Sequence, residues 1–341
     1  MISQQRWLVW NDEATSGRNT RACIPCHDTH VDLGTGALVN ELGQWFVTIA
    51  GTPEGARLAT VLALVSALAH AIFGALQKGR YDPWLTRGAI DGWLFLLSAP
   101  IALFVVPWPD LTTAIILVGA IVVHFAYKVT MALAYERAAY TVVYPVVRGT
   151  GPLDTVIAAS LFFAEQFTPL QWLGVAFLSG GILLLAARNI AEEVLDPRTL
   201  KLGLAWALAG GILVAIYTTY DAYGIRQTPD PFTFLAWFFF VTAIDFPLLA
   251  TWHYRRLKEP PVLGPLVWRG LFGALIAWVS FGGVLLATRL DKVGEAAVLR
   301  ETSVVFAALI GWFVIGEKVG PRRLILICLV AFGAVIVEMG G

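Results

Sequence analysis

Arg148 and Arg300 stand 152 positions apart, each within an apolar segment. When Tyr144–Gly181 is laid on Ala296–Gly333, Arg148 falls on Arg300, Thr150 on Thr302, Glu165 on Glu317, Pro169 on Pro321 and Gly181 on Gly333. An arginine at mid-membrane depth costs roughly 3 to more than 10 kcal/mol, so a duplicated one calls for a role. A guanidinium stays charged at any relevant pH and offers a planar fork of donors that matches a carboxylate or phosphate. The same residues also fit a structural ion pair, Arg300 beside Glu301 or Arg148 with an acid on another span. Both roles hold together if the acid leaves when an anion arrives. Duplication at equivalent points of two halves implies a central site built by an internal repeat, as secondary transporters arrange it.

Other polar side chains fall in apolar surroundings. His124 and Lys128 are four apart and share a helix face, with Tyr127 close by. Tyr144, Tyr217 and Trp278 are candidates to shape a cavity with them. His70, His124, Asp221 and Glu301 are candidates for proton coupling, histidine because it titrates near physiological pH. A hydrogen bond to a neighbouring helix is the competing role for His70, and interfacial solvation for Asp221. Lys128 has Asp154, Asp221 and Glu301 as possible counter-ions. Pro145, Gly149, Gly151 and Pro152 all weaken one segment around Arg148 and predict a broken or kinked helix there. Asp91 and Glu136 lie near predicted span ends and carry little weight. Glu165 and Glu317 close their segments and are expected to cap or pin connectors.

The elements that must position these groups follow from composition. Hydrophobic residues make up 57% of the 341-residue chain and charged ones 14%, against about 25% charged in soluble domains. Mean hydropathy is +0.71. The chain therefore reads as an all-α integral membrane protein, with spans near 57–77, 88–107, 111–133, 138–164, 169–188, 201–222, 232–252, 264–288, 293–316 and 321–339. Basic residues crowd the odd-numbered connectors, among them Lys78, Arg80, Arg137, Arg198, Lys201, Arg255, Arg256 and Lys258, and the even-numbered ones hold little beyond Arg226, Arg289 and Lys292. The positive-inside rule then places odd connectors in the cytoplasm and both chain ends outside.

Ten spans divide into five and five, and an odd number per half inverts the second half. The resemblance is to the drug/metabolite transporter superfamily, EamA type. It is carried by Tyr144-Pro145-Val146-Val147-Arg148-Gly149-Thr150-Gly151-Pro152 with Glu165 and Gly174, and by Leu299-Arg300-Glu301-Thr302-Ser303 with Gly316-Glu317-Lys318. A subgroup with histidines in spans 1 and 3 is matched by His70 and His124, although His70-Ala71-Ile72-Phe73-Gly74 stands where that subgroup often reads His-Ala-x-Trp-Asn. The resemblance implies two EamA repeats, over 55–190 and 191–341, and a carrier for a small solute.

Residues 1–54 read as a polar tail, disordered or an over-called start. They hold Cys23-Ile24-Pro25-Cys26-His27, a match to covalent haem attachment or, with His30, to zinc. About fifty residues barely allow a haem domain, and the tail has no methionine after Met1, so no cofactor or metal is expected. Balanced charge, 24 against 24, gives no sign of nucleic acid. No Gly-x-x-x-x-Gly-Lys-Ser/Thr loop occurs, so a gradient or exchange is expected to supply the energy. The expectation is a non-enzymatic secondary transporter of the plasma (inner) membrane, monomer or homodimer, whose partners are the bilayer and a small anionic or zwitterionic metabolite. The alternatives are a flippase for lipid-linked substrates and a membrane-anchored haem or metal redox protein.

Overall fold

The computed structural model describes residues 34–77, 81–191, 196–313 and 320–341. Cys23, Cys26 and His27, and the expected connector residue Glu317, lie outside the described residues. Within them the fold is all helix: α1 (Gly34–Ile49), α2 (Pro53–Gln77), α3 (Pro83–Phe104), α4 (Leu111–Arg137), α5 (Tyr140–Phe162), α6 (Pro169–Ala191), α7 (Pro197–Gln227), α8 (Pro231–Thr242), α9 (Asp245–Tyr254), α10 (Leu263–Leu290), α11 (Val293–Arg300), α12 (Ser303–Phe313) and α13 (Pro321–Met339). Eight stretches are long and apolar enough to cross a bilayer, with α8–α9 and α11–α12 each forming one interrupted span. The 23-residue α5 and the shorter apolar α13 stand where the other two of the ten spans are expected from the sequence.

Local chemistry sets where these helices begin. Proline opens α2, α3, α6, α7, α8 and α13, where its missing N–H costs nothing and its φ is already helical. Before three of them an aspartate caps the first turn: Asp82 accepts from Trp84 and Leu85 N–H, Asp196 from Arg198 and Thr199, and Asp230 from Phe232 and Thr233. Asp110 does the same for α4, and bonding to Thr113 holds its carboxyl below the usual range.

The two halves are related by a pseudo-twofold, visible in how contacts exchange. α2 packs on α10 and on α11–α12, while the equivalent α7 packs on α4 and on α5. At the centre α6 meets α13. A Cβ on Gly174 would lie 2.7 Å from the Gly333 carbonyl oxygen, and one on Gly333 would lie 2.6 Å from that of Gly174. The repeat maps this pair onto Leu326 and Gly181, and a Cβ on Gly181 would indeed sit 3.4 Å from the Leu326 carbonyl oxygen. Small residues let these two backbones approach this closely.

Two expectations are corrected. The break predicted at Pro145, Gly149, Gly151 and Pro152 does not occur, since α5 runs unbroken through both prolines. Thr155 Oγ1 donates to the Gly151 carbonyl at 2.8 Å and Thr150 Oγ1 to that of Val146 at 3.2 Å, so both hydroxyls are bonded back within the helix. Gly149 and Gly151 instead admit Leu183 of α6 and Val214 of α7. The interruptions fall in the other half. Pro247 cannot donate to the Ala243 carbonyl, which separates α8 from α9. Between α11 and α12, Glu301 and Thr302 make tight bonds back to Val298 and Leu299, and the Thr302 hydroxyl also donates to Leu299 O, at 2.6 Å. The second correction concerns the tail. Residues 34–49 form α1, whose buried Phe46 meets Phe232 edge-on at 5.4 Å, while Leu42, Trp45 and Val47 remain exposed.

Candidate functional site

A cavity of about 420 Å³ enters the bundle. Its outer rim, Tyr81, Pro83, Ala138 and Ala139, lies at the odd-numbered connectors between α2 and α3 and between α4 and α5. Its inner wall carries His70, Phe73, Tyr127, Lys128, Tyr144, Arg148 and Phe281.

Arg148 is the positive group at the inner end. Its Nη1 donates to Glu301 Oε1 across the two halves at 2.7 Å, and its Nη2 donates to His70 Nε2. Its guanidinium also lies 5.5 Å from the centre of the Tyr144 ring, whose hydroxyl is 3.3 Å from Ser303 Oγ. With Nε2 accepting, the His70 hydrogen sits on Nδ1, which faces Ser280 Oγ at 3.3 Å. Arg300 Nη2 approaches that same nitrogen at 3.4 Å, too long and wrongly matched for a bond. Arg300 stacks over Phe281 at 4.6 Å instead. The interruption after α11 presents Arg300, Glu301 and Ser303 together, all buried.

Lys128 reaches the cavity wall, yet its ammonium is held by Asp91 Oδ2 at 2.9 Å, by the Thr242 carbonyl at 2.7 Å and by Asp245 Oδ1. The interruption between α8 and α9 leaves that carbonyl available. Arg87 pairs with Asp91 from one turn earlier, at 2.8 Å. None of the three counter-ions considered from the sequence is used. Asp91, given little weight because it lay near a predicted span end, is fully buried. Its signal was present: Arg87 and Asp91 are four apart on one helix face.

His124 does not line the cavity. Its Nε2 is 2.7 Å from Asp221 Oδ2, behind a wall of Tyr217, Phe238 and Phe281 rings. Tyr217 is buried in that wall, 5.0 Å from the Tyr127 ring. Trp278 stands apart, its indole N–H donating to Ser98 Oγ at 3.1 Å and its ring against Phe239. The structure therefore brings Arg148, His70, Tyr144, Tyr127 and Lys128 to one cavity, pairs His124 with Asp221 beside it, and keeps Arg300 and Glu301 directly behind Arg148. Tyr135, which the spacing places near the His124–Lys128 face, also lines the cavity, as does Phe281, which was not selected from the sequence. Among the described residues no group of three or more His, Cys, Asp or Glu gathers to hold a metal ion.

The opposite face is closed by polar bonds. Glu165 accepts from Val293 N–H at 2.8 Å and Gly294 N–H at 3.1 Å, at the start of α11. Arg226 donates to the carbonyls of Thr288 at 2.8 Å and Asp291 at 2.7 Å, and Arg289 donates to that of Arg226 at 2.5 Å. Glu165 thus pins connectors, as expected from its place in the repeat.

Residues 201–339 match the EamA-like transporter family. A crystal structure described only as that of a protein superposes with a TM-score of 0.65, covering 82% of this chain and 98% of the other at 17% identity, which shows a shared fold. An uncharacterized protein, y4nH, of Sinorhizobium fredii (strain NBRC 101917 / NGR234) is 35% identical over 69 residues, 20% of this chain and 59% of that relative's length. The helical bundle, with its eight candidate spans, is that of a multi-pass membrane protein, and the partial family match suggests a membrane transporter. The family match covers residues 201–339, and over that part the chain is similar to the EamA-like transporters.

Proposed function

We propose that the chain is a secondary transporter of the plasma (inner) membrane that moves a small anionic or zwitterionic metabolite by alternating access. The observation that carries this reading is the one-sided cavity ending at Arg148, with the other face tied shut through Glu165, Arg226 and Arg289. A solute anion entering from the basic, cytoplasmic connectors meets a guanidinium fork in a low-dielectric pocket, where charge-assisted bonds are strong. Tyr127, Tyr144 and Phe281 give the solute aromatic walls. Opening at the far face then requires the Glu165 bonds to part and the two halves to rock about the α6–α13 contact. Exchange or a proton gradient drives the cycle, with His70, His124, Asp221 and Glu301 as the groups able to carry a proton. The working unit is a monomer or homodimer in the bilayer.

The test is a thermal-shift screen of detergent-purified protein against small metabolites at two pH values, since ligands of the native state raise its melting temperature by mass action. The expected result is a shift by carboxylated or phosphorylated compounds that Arg148→Gln or Arg300→Gln abolishes. Shifts confined to cations or lipids would recast both arginines as structural and favour a flippase.

A further inference from the structure

Two buried guanidiniums share a single carboxylate at the inner end of the cavity. Arg148, Arg300 and Glu301 are each only 3% exposed. Glu301 spends one oxygen on Arg148, and its second, Oε2, has no hydrogen-bond partner. Arg300 Nε, equally buried, has none either. Both side chains line the same small void, about 10 Å³, together with Thr155 and Thr218, on the side of Arg148 away from the large cavity. Buried polar atoms without partners are rare and costly, so a donor and an acceptor left over beside one void point to an exchange of partners. Glu301 also sits in the turn between α11 and α12, where its side chain can swing without unwinding a helix.

We propose that the site takes a monocarboxylate, which displaces Glu301 from Arg148 and hands it to Arg300. The inference rests on the central anion site proposed above and adds its charge class. The neighbouring ion cluster is already balanced, Arg87 and Lys128 against Asp91 and Asp245. At the inner end, Arg148 and Arg300 stand against Glu301, and the adjoining His124–Asp221 pair, counted with the proton on the imidazole, balances itself, which leaves one positive charge. One anionic charge completes the balance, whereas a dianion leaves an excess negative charge in a low-dielectric interior. Arg148 remains paired before and after, and Arg300, which has no carboxylate in the empty state, gains one. The residue after Arg148, equivalent to Glu301 in the repeat, is Gly149. The odd carboxylate is therefore a property of one half only.

The experiment compares hexanoate, phenylacetate and lactate with the dicarboxylates adipate, phthalate and malate, by thermal shift on the full chain, with chloride as control. Wild type is expected to respond to monocarboxylates over dicarboxylates. Glu301→Gln removes the internal competitor and leaves two positive charges, so it should bind monocarboxylates about tenfold more tightly and now accept dicarboxylates. Arg300→Gln should lose the response although Arg148 and Glu301 still pair, and Arg300→Gln with Glu301→Gln should regain it. Dicarboxylate preference in wild type, an unchanged preference in Glu301→Gln, or a response in Arg300→Gln equal to wild type would overturn the exchange while leaving an anion site. A chloride response matching the carboxylates would overturn the carboxylate assignment. Silence of every carboxylate on wild type and Glu301→Gln alike would overturn the anion site and the exchange together. Should Arg300→Gln not fold, the double variant and Glu301→Gln decide the question.

Discussion

Arg148 of the first repeat is bonded to Glu301 of the second, the residue next to that repeat's own arginine, with 2.7 Å between Nη1 and Oε1. The pair is buried on both sides. It ties α5 to the turn between α11 and α12 and sets the floor of the cavity. A pair so placed gains less from its Coulomb attraction than it loses when one partner is removed. Replacing Arg148 by Gln is expected to destabilise the protein, by less than the roughly 3–5 kcal/mol of a carboxylate buried with no cation at all, because Glu301 can turn to Arg300. Adding Glu301→Gln to that variant should restore most of the loss. Thermal unfolding in detergent measures both, and a double variant no more stable than Arg148→Gln would show the pair is not coupled.

The cage around Lys128 makes a parallel prediction with a different signature. Two carboxylates and a carbonyl converge on one ammonium that is almost fully buried. Lys128→Met should therefore cost about 3–5 kcal/mol, and Asp91→Asn in the same chain should recover part of it. If Lys128 were instead a free solute ligand, Lys128→Met would abolish the ligand-induced shift without lowering the melting temperature of the empty protein.

Much of this fold was legible because membrane spans are long apolar runs, and the repeat was legible because Arg148 and Arg300 share a frame of Thr, Glu, Pro and Gly. The chemistry of the arginines was legible from their type alone. Their partners were not. Asp91 looked interfacial because span ends cannot be fixed from hydropathy, and only the packing of α3 against α4 and α9 places it beside Lys128 and Asp245. The expected break in α5 does not occur because each proline removes only its own N–H and leaves one carbonyl, four residues back, without its helical bond, a loss that this 23-residue helix carries without interruption. The true break at Arg300–Ser303 contains no proline and gave no sequence signal of its own. The α1 helix was missed because its buried face is short, with Phe46 and Ile49 on one side and apolar residues on the other.

Glu165 reaches the first two amides of α11 and the Arg226 guanidinium, so it fastens three helix ends at the closed face. Carboxylates at a helix start satisfy orphan amides, and losing such a cap costs about 1–2 kcal/mol. Glu165→Ala should therefore shift the population towards opening at this face. A cysteine in place of Ala222, which is fully buried against Ala159 and Val293, reports the change once Cys23, Cys26 and Cys328 are replaced by serine. Thiol labelling at that position is expected to quicken in Glu165→Ala, and an unchanged rate would show that the face is held by packing alone.

The α6–α13 contact offers the sharpest steric test. Gly174 and Gly333 lie backbone to backbone, and a methyl group on either would meet a carbonyl oxygen closer than 3.0 Å, with no flexible side chain to give way. Overpacking of this kind costs about 1–3 kcal/mol. Gly174→Ala is expected to lower the melting temperature and, because the contact lies on the pseudo-twofold between the halves, to slow transport more than it weakens solute binding. Gly180→Ala, one residue from the Gly181 contact but facing open space, is the matched control and should be silent. Equal effects from the two substitutions would assign the loss to helix propensity or general perturbation rather than to the close approach of the repeats.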